Sequence, residues 1–374
     1  MLDVKIRRIE LFPVSIPYED KIITEWKDEW GIQLYVKVEG DDCEGWGETL
    51  VAGSGIISAY LGVLNDFVIP FLKEVNSIQE TEEVMEKALF TAGQGVTTGA
   101  ISSVDQALWH CLSRSLKVPL YKILGGKERE KIKVYASLPR YPSEKEVIEA
   151  TDLAIERGFT RVKLHQPPQS TLESLRKIRE RIGNDIRIAV DLNSPFSLDD
   201  ANKFINQIQR FDVDWIEEPL WPPNDYKALS KLTQKTDIAI AAGENEYSIQ
   251  GFRDLIESGI SIVQPDIAKI GGISKFLKVI ALAESYNVKV FPHLRPHRSA
   301  IAIFHTLQVA SARRGIQLVE FPLAPIPDFF GIRFEIKEGE VKVPDDIKPE
   351  EEKLSQIKFE KKLRLLKFSD LSSR

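Results

Sequence analysis

Short apolar segments recur between Lys163 and Glu320, and each ends in a residue that can bind a metal ion or transfer a proton. In order they read RVKLH, RIAVD, DWIEEP, IAIAAGE, SIVQPD, VKVFPH and IQLVE. Segments of this length, rich in Val and Ile, are typical of buried parallel strands. The chain between them is long enough for one helix each, which predicts a β/α barrel. Because all strands of such a barrel end at one mouth, these polar residues are expected to converge there.

One more segment, KVYASL near Lys131, supplies the first strand and brings the predicted strands to eight. Only seven helices are predicted, because the strand at Glu320 leads directly into the Pro-rich segment FPLAPIPDFF. The predicted helices cover residues 144–157, 172–182, 198–211, 226–233, 249–258, 273–286 and 299–311. The predicted fold is therefore α/β, a modified TIM barrel of the (β/α)7β type over residues 128–325.

The residues before the barrel follow a different pattern, with alternating strands over 5–16 and 32–38 and a third strand near 43–48. Helical spacing follows over about 57–75, 79–90 and 97–116. These residues, 1–127, are predicted to form an α+β capping domain. Its polar segment Tyr18–Gly31 is predicted to be a loop. The tail, 326–374, carries a hairpin signal around Gly339 and is predicted to return to the capping domain.

The composition limits the classes of protein that this chain can represent. The length of 374 residues suits a barrel with an accessory domain. The formal net charge of −6 argues against a nucleic-acid partner. Two cysteines, Cys43 and Cys111, imply no disulfide framework. The segment MLDVKIRRIE lacks an apolar signal core and no run is long enough to span a membrane, so a cytoplasmic enzyme is expected.

Three carboxylates, Asp191, Glu217 and Glu244, stand at the ends of three consecutive predicted strands. Carboxylates brought to one place repel each other unless a cation lies between them. Oxygen ligands select a hard cation, with Mg²⁺ the first choice and Mn²⁺ the second. Any one of the three could instead cap a helix or pair with a lysine. All three in register at a barrel mouth favour a metal site.

Basic residues stand at the ends of two more predicted strands, and a carboxylate ends the strand between them and the metal site. Lys163 and His165 lie two apart on one strand and so face the same side. Asp266 and His293 end neighbouring strands, and a carboxylate bonded to imidazole suits a general acid or base. His293 alone could be a structural histidine; the pairing with Asp266 favours the catalytic interpretation.

Several motifs, taken in strand order, resemble those of the enolase superfamily, and within it those of the mandelate racemase branch. They are Asp191-x-Asn193, Trp215-Ile216-Glu217-Glu218-Pro219, Gly243-Glu244-Asn245, Pro265-Asp266-Ile267-Ala268-Lys269-Ile270-Gly271-Gly272 and the helix from Thr98 to Trp109. The resemblance covers nearly the whole chain. Enolase-superfamily sites use a Lys or His base while Mg²⁺ stabilises an ene-diolate.

The resemblance implies roles for the matched residues. Asp191, Glu217 and Glu244 would hold Mg²⁺, and Lys163 with His165 matches the Lys-x-Lys motif. His293 with Asp266 matches the His-Asp dyad, and Glu320 the acid that hydrogen-bonds the substrate carboxylate. Catalysis is thus expected from Lys163, His165, Asp266, His293 and Glu320. The candidate substrate contacts are Asn193, Trp26, Arg295 and His297.

Two residues depart from the resemblance. The second Lys of Lys-x-Lys, usually the base on that face, is His165 here, so His165 and His293 are alternative bases. His110 stands where many relatives carry an acidic residue, and it is expected to be structural.

The expected reaction is removal of a proton α to a carboxylate. Charged residues near His293 and in the Tyr18–Gly31 loop favour a polyhydroxylated anion, so dehydration of a sugar acid to a 2-keto-3-deoxy acid is expected. The alternatives are a racemase or epimerase, a cycloisomerase, and a non-catalytic binding protein. The expected partner is a small-molecule carboxylate, with no nucleic acid or membrane, and relatives suggest a homo-oligomer.

Overall fold

The structure, a computed structural model, describes residues 5–16, 31–51, 54–72, 78–295 and 299–360. Its first part is an antiparallel sheet in the order β1-β2-β3. The strands are β1 (Ile6–Ser15), β2 (Ile32–Gly40) and β3 (Glu44–Thr49), which lie where the sequence predicts them. Most of the predicted loop at Tyr18–Gly31, including Trp26, lies outside the described residues.

Three helices cover this sheet. α1 (Ser54–Gly62) continues through a π-helical segment (Val63–Val68) into a last turn (Ile69–Leu72), so the long helix predicted there is interrupted. α2 spans Ile78–Ala92 and α3 spans Val96–Ser115.

Helix α3 lies directly against β3, at a distance that only glycine permits. A Cβ atom on Gly45 would lie 1.9 Å from the carbonyl oxygen of Ala107. A Cβ atom on Gly47 would lie 1.8 Å from the carbonyl oxygen of Ser103. The predicted apolar face of this helix, with Ile101 and Val104, is buried in the core of the capping domain.

The second part is a closed barrel of eight parallel strands, as predicted. A short helix, α4 (Leu120–Ile123), leads into it. The strands are β4 (Lys131–Ser137), β5 (Arg161–Leu164), β6 (Arg187–Asp191), β7 (Val213–Glu217), β8 (Ala239–Ala242), β9 (Ile262–Val263), β10 (Lys289–Val290) and β11 (Val319–Pro322). Strands β4 to β10 pair in chain order. The barrel closes because β11 pairs in parallel with β4 and Ile316 bridges to Val290.

Seven helices surround the barrel, and polar side chains start most of them. They are α5 (Glu144–Glu156), α6 (Pro168–Ile182), α7 (Leu198–Ile208), α8 (Tyr226–Thr233), α9 (Ile249–Glu257), α10 (Gly272–Ser285) and α11 (Ala300–Ala312). Ser143, Ser197, Asp225 and Ser248 each accept a hydrogen bond from the first turn of the helix that follows. The residues before α10 and α11 make no such bond.

The inside of the barrel is filled by side chains of unequal size. Tyr135 and Trp215 are buried with their ring centroids 5.2 Å apart, in an edge-to-face contact. Ala189 and Ala241 lie in the same cluster and leave room for the two large rings. This layer forms the floor below the barrel mouth.

The tail contacts both parts of the protein. β12 (Ile336–Lys337) and β13 (Glu340–Lys342) form the predicted hairpin, but β13 pairs with the barrel strand β4. Phe330, before the hairpin, packs against Tyr35 of β2, and the segment after β13 also reaches the capping domain, where Lys358 bridges to Val14. Helix α12 (Glu351–Gln356) contacts β1. The domain limits 1–127, 128–325 and 326–374 remain a prediction.

His110 holds the tail to α3. Its Nδ1 accepts the backbone N–H of Trp46 at 3.1 Å, so the proton of the neutral ring lies on Nε2. Nε2 then donates to Asp346 Oδ1 at 2.9 Å. Burial lowers the pKa of His110, against the opposing effect of Asp346. These contacts are those of a structural residue.

The cysteines differ from the sequence-based expectation. Cys43, in the turn between β2 and β3, forms a disulfide with Cys111 of α3, and their Cα atoms are 5.1 Å apart. The close packing of α3 on β3 brings together two residues that the count of cysteines could not pair. Among the described residues, no helix combines the length and the apolar character needed to cross a lipid bilayer.

We expect reduction of this disulfide to lower the free energy of unfolding by about 4 kcal/mol, from the entropy of a closed loop of this length. The two cysteines are separated by 68 positions. Urea unfolding with and without dithiothreitol measures the effect. The Cys43→Ser/Cys111→Ser variant should have the free energy of unfolding of the reduced protein, and dithiothreitol should not change it. Identical curves for oxidised and reduced protein would contradict the prediction.

Candidate active site

The three predicted metal ligands meet at the barrel mouth. Asp191 and Glu217 are the last residues of β6 and β7 and face each other in register. Glu244 follows β8 by two residues. One oxygen of each carboxylate lies within 4.8 Å of one oxygen of the other two. Asp191 and Glu217 are buried, and the Glu244 side chain is 15% exposed.

Lys163 lies in the middle of the acidic groups and is fully buried. Its Nζ is 2.8 Å from Glu217 Oε1, 3.0 Å from Glu320 Oε1 and 3.3 Å from Asp191 Oδ2. Burial disfavours the ammonium ion, but these carboxylates raise the pKa of Lys163 well above its usual range. Lys163 is therefore a fixed positive charge at the mouth.

One lysine does not balance this much negative charge. Burial and the charge of Asp191 raise the pKa of Glu217 well above its usual range. Burial also opposes ionisation of Asp191, but the charge of Lys163 lowers its pKa. Without a further cation, Glu217 tends to hold a proton. A divalent cation among these oxygens would remove that tendency, and an all-oxygen set suits Mg²⁺. The three residues fit the metal that the sequence predicts.

His293 lies on one side of the triad and is paired with Asp266. Its Nδ1 is 2.6 Å from Asp266 Oδ2 and its Nε2 is 3.0 Å from Glu244 Oε2. Burial disfavours the charged ring, but the charges of Glu244 and Glu320 and the bond to Asp266 raise the pKa of His293 well above its usual range. A protonated His293 can act as a general acid.

His165 contacts the other end of the triad. Its Nδ1 is 2.6 Å from the carbonyl oxygen of Leu138, and its Nε2 is 3.2 Å from Asp191 Oδ2. A carbonyl oxygen only accepts hydrogen bonds, so Nδ1 carries the proton. In the neutral ring the lone pair is then on Nε2, directed to the site, as a general base requires.

Glu320, on β11, is fully buried next to both Lys163 and the loop after β10. Its Oε2 accepts from the backbone N–H of Leu294 at 3.1 Å and from the Tyr135 hydroxyl at 3.3 Å. Burial opposes ionisation, but Lys163 and His293 lower the pKa of Glu320. It is thus ionised here, whereas a hydrogen bond to a substrate carboxylate needs the protonated acid.

Of the four predicted substrate contacts, the structure describes two, Asn193 and Arg295. Asn193 follows β6, is exposed at the mouth, and donates its backbone N–H to Asp191 Oδ1 at 2.9 Å. Arg295 is 7% exposed, and its guanidinium donates to the carbonyl oxygens of Ile32 and Val51. These contacts place Arg295 between the capping domain and the barrel, and its contact with a substrate stays a prediction. Trp26 and His297 lie outside the described residues.

Three residues that support the site were missed in the sequence. Gln264 Nε2 donates to Glu217 Oε2 at 2.7 Å, and Trp215 Nε1 donates to the same oxygen at 3.4 Å. Tyr135 supports Glu320 in the same way. Gln264 could have been found, because it lies two residues before Asp266 and so on the same face of the strand. Tyr135 and Trp215 look like ordinary aromatic core residues in the sequence.

A closed barrel with a carboxylate triad, a buried lysine and two histidines at its mouth defines a metal-dependent enzyme of the enolase-like class. Residues 146–349 match the family described as "Enolase C-terminal domain-like". Residues 31–125 match "Mandelate racemase / muconate lactonizing enzyme, N-terminal domain". The chain belongs to the mandelate racemase/muconate lactonizing enzyme family of the enolase superfamily, and its cofactor is Mg²⁺.

Similar proteins carry several activities in their names. A protein of Caldivirga maquilingensis named "Putative L-rhamnonate dehydratase" is 31% identical over 284 residues, which is 71% of this chain and 67% of that protein. The structure of the 3,6-anhydro-D-galactonate cycloisomerase from Zobellia galactanivorans is 27% identical, with a TM-score of 0.81, 95% of this chain and 100% of that chain covered. A racemase from Streptomyces coelicolor A3(2) with bound magnesium is 22% identical, with a TM-score of 0.82 and the same coverage.

We expect Mg²⁺ to raise the melting temperature of the protein, because a ligand of the folded state stabilises it by mass action. Glu217→Gln should remove this shift while circular dichroism shows an intact fold. Differential scanning fluorimetry in EDTA and in rising Mg²⁺ measures both. Asp225→Asn, a carboxylate change at the start of α8, is the matched control and should keep the shift. A Glu217→Gln protein with the wild-type shift would exclude this ligand set.

Proposed function

We propose that this chain is a Mg²⁺-dependent lyase that dehydrates a sugar acid, an aldonate or aldarate, to a 2-keto-3-deoxy acid. The observation that carries the proposal is the pair of imidazoles that contact opposite ends of the carboxylate triad. Each has its Nδ1 fixed by an acceptor, the Leu138 carbonyl for His165 and Asp266 for His293. Each directs Nε2 at the triad.

The proposed steps use these two rings in different roles. His165 Nε2 removes the proton α to the substrate carboxylate, and the released electron pair moves onto the carboxylate, which becomes an ene-diolate. His293 then gives its Nε2 proton to the β-hydroxyl. As the bond from the β-carbon to oxygen breaks and water leaves, the electron pair forms the double bond between the α- and β-carbons, and the resulting enol becomes the 2-keto acid. When bound to Asp191, Glu217 and Glu244, Mg²⁺ supplies positive charge that stabilises the negative charge developing on the substrate carboxylate.

Lys163 and Glu320 are proposed to hold the substrate carboxylate. Lys163 offers the fixed positive charge, now shared among three carboxylates. Glu320 has to take up a proton when the substrate carboxylate arrives next to it, because two carboxylates at this distance repel. Asn193 is the proposed exposed contact at the mouth.

The name of the Caldivirga relative supports a sugar-acid substrate and dehydration. A racemase or epimerase is the second candidate, because one ring at each end of the triad suits proton removal on one face and return on the other. The Zobellia relative keeps a cycloisomerase open. A non-catalytic binding protein is disfavoured, because all proposed ligands and both histidines are present. We further propose a homo-oligomer, as the resemblance implies, and a location in the cytoplasm.

The proposal is tested by incubating the protein and Mg²⁺ with a library of sugar acids and detecting 2-keto acids. His293→Asn should cut turnover by at least about 10²-fold, the contribution of a general acid or base. Asp266→Asn should be milder yet clear, because the ring loses its fixed tautomer. Both variants should keep the Mg²⁺-dependent melting shift. Wild-type rates in both would disprove the role of the pair.

Exchange of the α-proton in D₂O separates the roles of the two rings. The His293→Asn variant should still exchange the α-proton without elimination, because His165 remains to remove it. The His165→Asn variant should do neither. The exchange is followed by ¹H NMR of the recovered substrate. Exchange that survives in His165→Asn but vanishes in His293→Asn would assign both steps to His293. Exchange with inversion and no keto acid in the wild type would identify a racemase.

A further inference from the structure

The polar face of α3 is buried against the barrel. Ser102, Asp105, Gln106 and Trp109 are spaced i, i+3, i+4 and i+7, so they share one face of the helix. Ser102, Asp105 and Gln106 are each 0% exposed. We name these three residues the docking stripe. Buried polar groups are costly unless each has a partner, so their partners identify what the stripe holds.

The partners of the docking stripe lie in the loop after β9 and at the start of α10. Gln106 Nε2 donates to the carbonyl oxygen of Ile267 at 3.3 Å. The backbone N–H of Gly271 donates to Ser102 Oγ at 2.7 Å. Asp105 accepts from both the backbone N–H and the hydroxyl of Ser274, at 3.1 and 2.5 Å.

This loop is the one that carries Asp266. Its Oδ1 accepts from the backbone N–H of Ala268 at 2.7 Å, and its Oδ2 contacts His293. The carbonyl oxygen of Ala268 in turn accepts from the backbone N–H of Leu50 at 3.3 Å, and the hydroxyl of Thr49 is 3.4 Å from it. The capping domain therefore holds the peptide groups that orient the Asp266 carboxylate.

The loop after β10, which carries His293, is held from the same domain. Glu48 of β3 accepts from the backbone N–H groups of Ile301 and Ala302, at 3.1 and 3.0 Å. Arg295, two residues beyond His293, donates to the carbonyl oxygens of Ile32 and Val51. Gln106 links the two sets of contacts. Its Nε2 bonds Ile267 in the loop after β9, and it also donates at 2.8 Å to the carbonyl oxygen of Glu48, whose side chain holds the start of α11.

The start of both helices depends on these contacts. α10 and α11 begin without a side-chain cap of their own, and the free N–H groups of their first turns are bound by Asp105 and Glu48 instead. A Cβ atom on Gly272 would lie 2.3 Å from Asp105 Oδ2, so a side chain there would push the carboxylate away. Four other barrel helices are capped by their own side chains, at Ser143, Ser197, Asp225 and Ser248, whereas α6 begins at a proline without such a cap.

We propose that the docking stripe and Glu48 are positioning residues for the Asp266–His293 pair, so that the capping domain sets the geometry of the acid on the barrel. The proposal rests on the proposed role of this pair in the reaction. It gives the capping domain a second task besides covering the mouth. The docking stripe acts on the reaction through the two loops and touches no reacting atom.

The test compares Gln106→Met with Ser143→Ala. Gln106→Met keeps the size of the side chain and removes its bonds to Ile267, Glu48 and the buried ring of His305. Ser143→Ala removes the cap of α5, far from the two loops. Gln106→Met should lower kcat about tenfold and leave KM within about twofold, as for residues that orient a functional group. Ser143→Ala should leave both unchanged.

A second readout needs no substrate and stays decisive if the proposed reaction is wrong. The chain has five histidines, so the His293 signal in ¹⁵N-histidine-labelled protein can be assigned with His293→Asn. The far-downfield Nδ1 proton of the 2.6 Å bond to Asp266 is recorded with and without Mg²⁺. This signal should shift or broaden in Gln106→Met and stay in place in Ser143→Ala.

If Gln106→Met fails to fold, Ser102→Ala replaces it. This change removes the acceptor for the Gly271 N–H and the bond from the Ser102 hydroxyl to the carbonyl oxygen of Thr98, and it should shift the same signal less. The outcome that overturns the proposal is a lower melting temperature in the docking-stripe variants with kcat and the His293 signal unchanged. Those residues would then only stabilise the fold.

Discussion

The concentration of negative charge at the barrel mouth is the constraint on which the rest of this structure depends. Asp191, Glu217, Glu244 and Glu320 lie close together with little water around them. Carboxylates cannot remain ionised in such a place without cations. Lys163 supplies one charge from below, and the two imidazoles contact the triad at its ends. A Mg²⁺ ion held by Asp191, Glu217 and Glu244 would supply further positive charge, so the residues that would hold the metal are also the residues that need it.

The two imidazoles differ in the group that holds Nδ1, and this difference suits them to different steps of the proposed reaction. His165 bonds a neutral carbonyl oxygen, which fixes the tautomer without adding charge. His293 bonds a buried carboxylate, which favours the protonated ring. A ring whose pKa is raised by its surroundings suits the role of the acid, and a ring with a lone pair on the nitrogen that faces the site suits the role of the base. The geometry therefore supports the division of labour in the proposed reaction.

Support for the charged groups comes from two sides. From the barrel floor, Gln264 and Trp215 donate to Glu217, and Tyr135 donates to Glu320. From the capping domain, Asp105 and Glu48 bind the free N–H groups at the starts of α10 and α11. A buried polar network of this kind is stabilising only when its members are paired. Catalytic geometry and domain docking are thus parts of one hydrogen-bond network.

The sequence by itself determined the strand order, the seven helices and the convergence of the polar strand ends, because these follow from local periodicity and from the geometry of a closed barrel. It also pointed to the triad and the Asp266–His293 pair, since strand ends are fixed along the chain. The Cys43–Cys111 disulfide, the contacts of Arg295 and the buried face of α3 were decided only by the tertiary structure. Along the chain, Ser102, Asp105 and Gln106 look like a solvated helix face. Only the packing of α3 against the loops after β9 and β10 gives these groups partners and removes them from water.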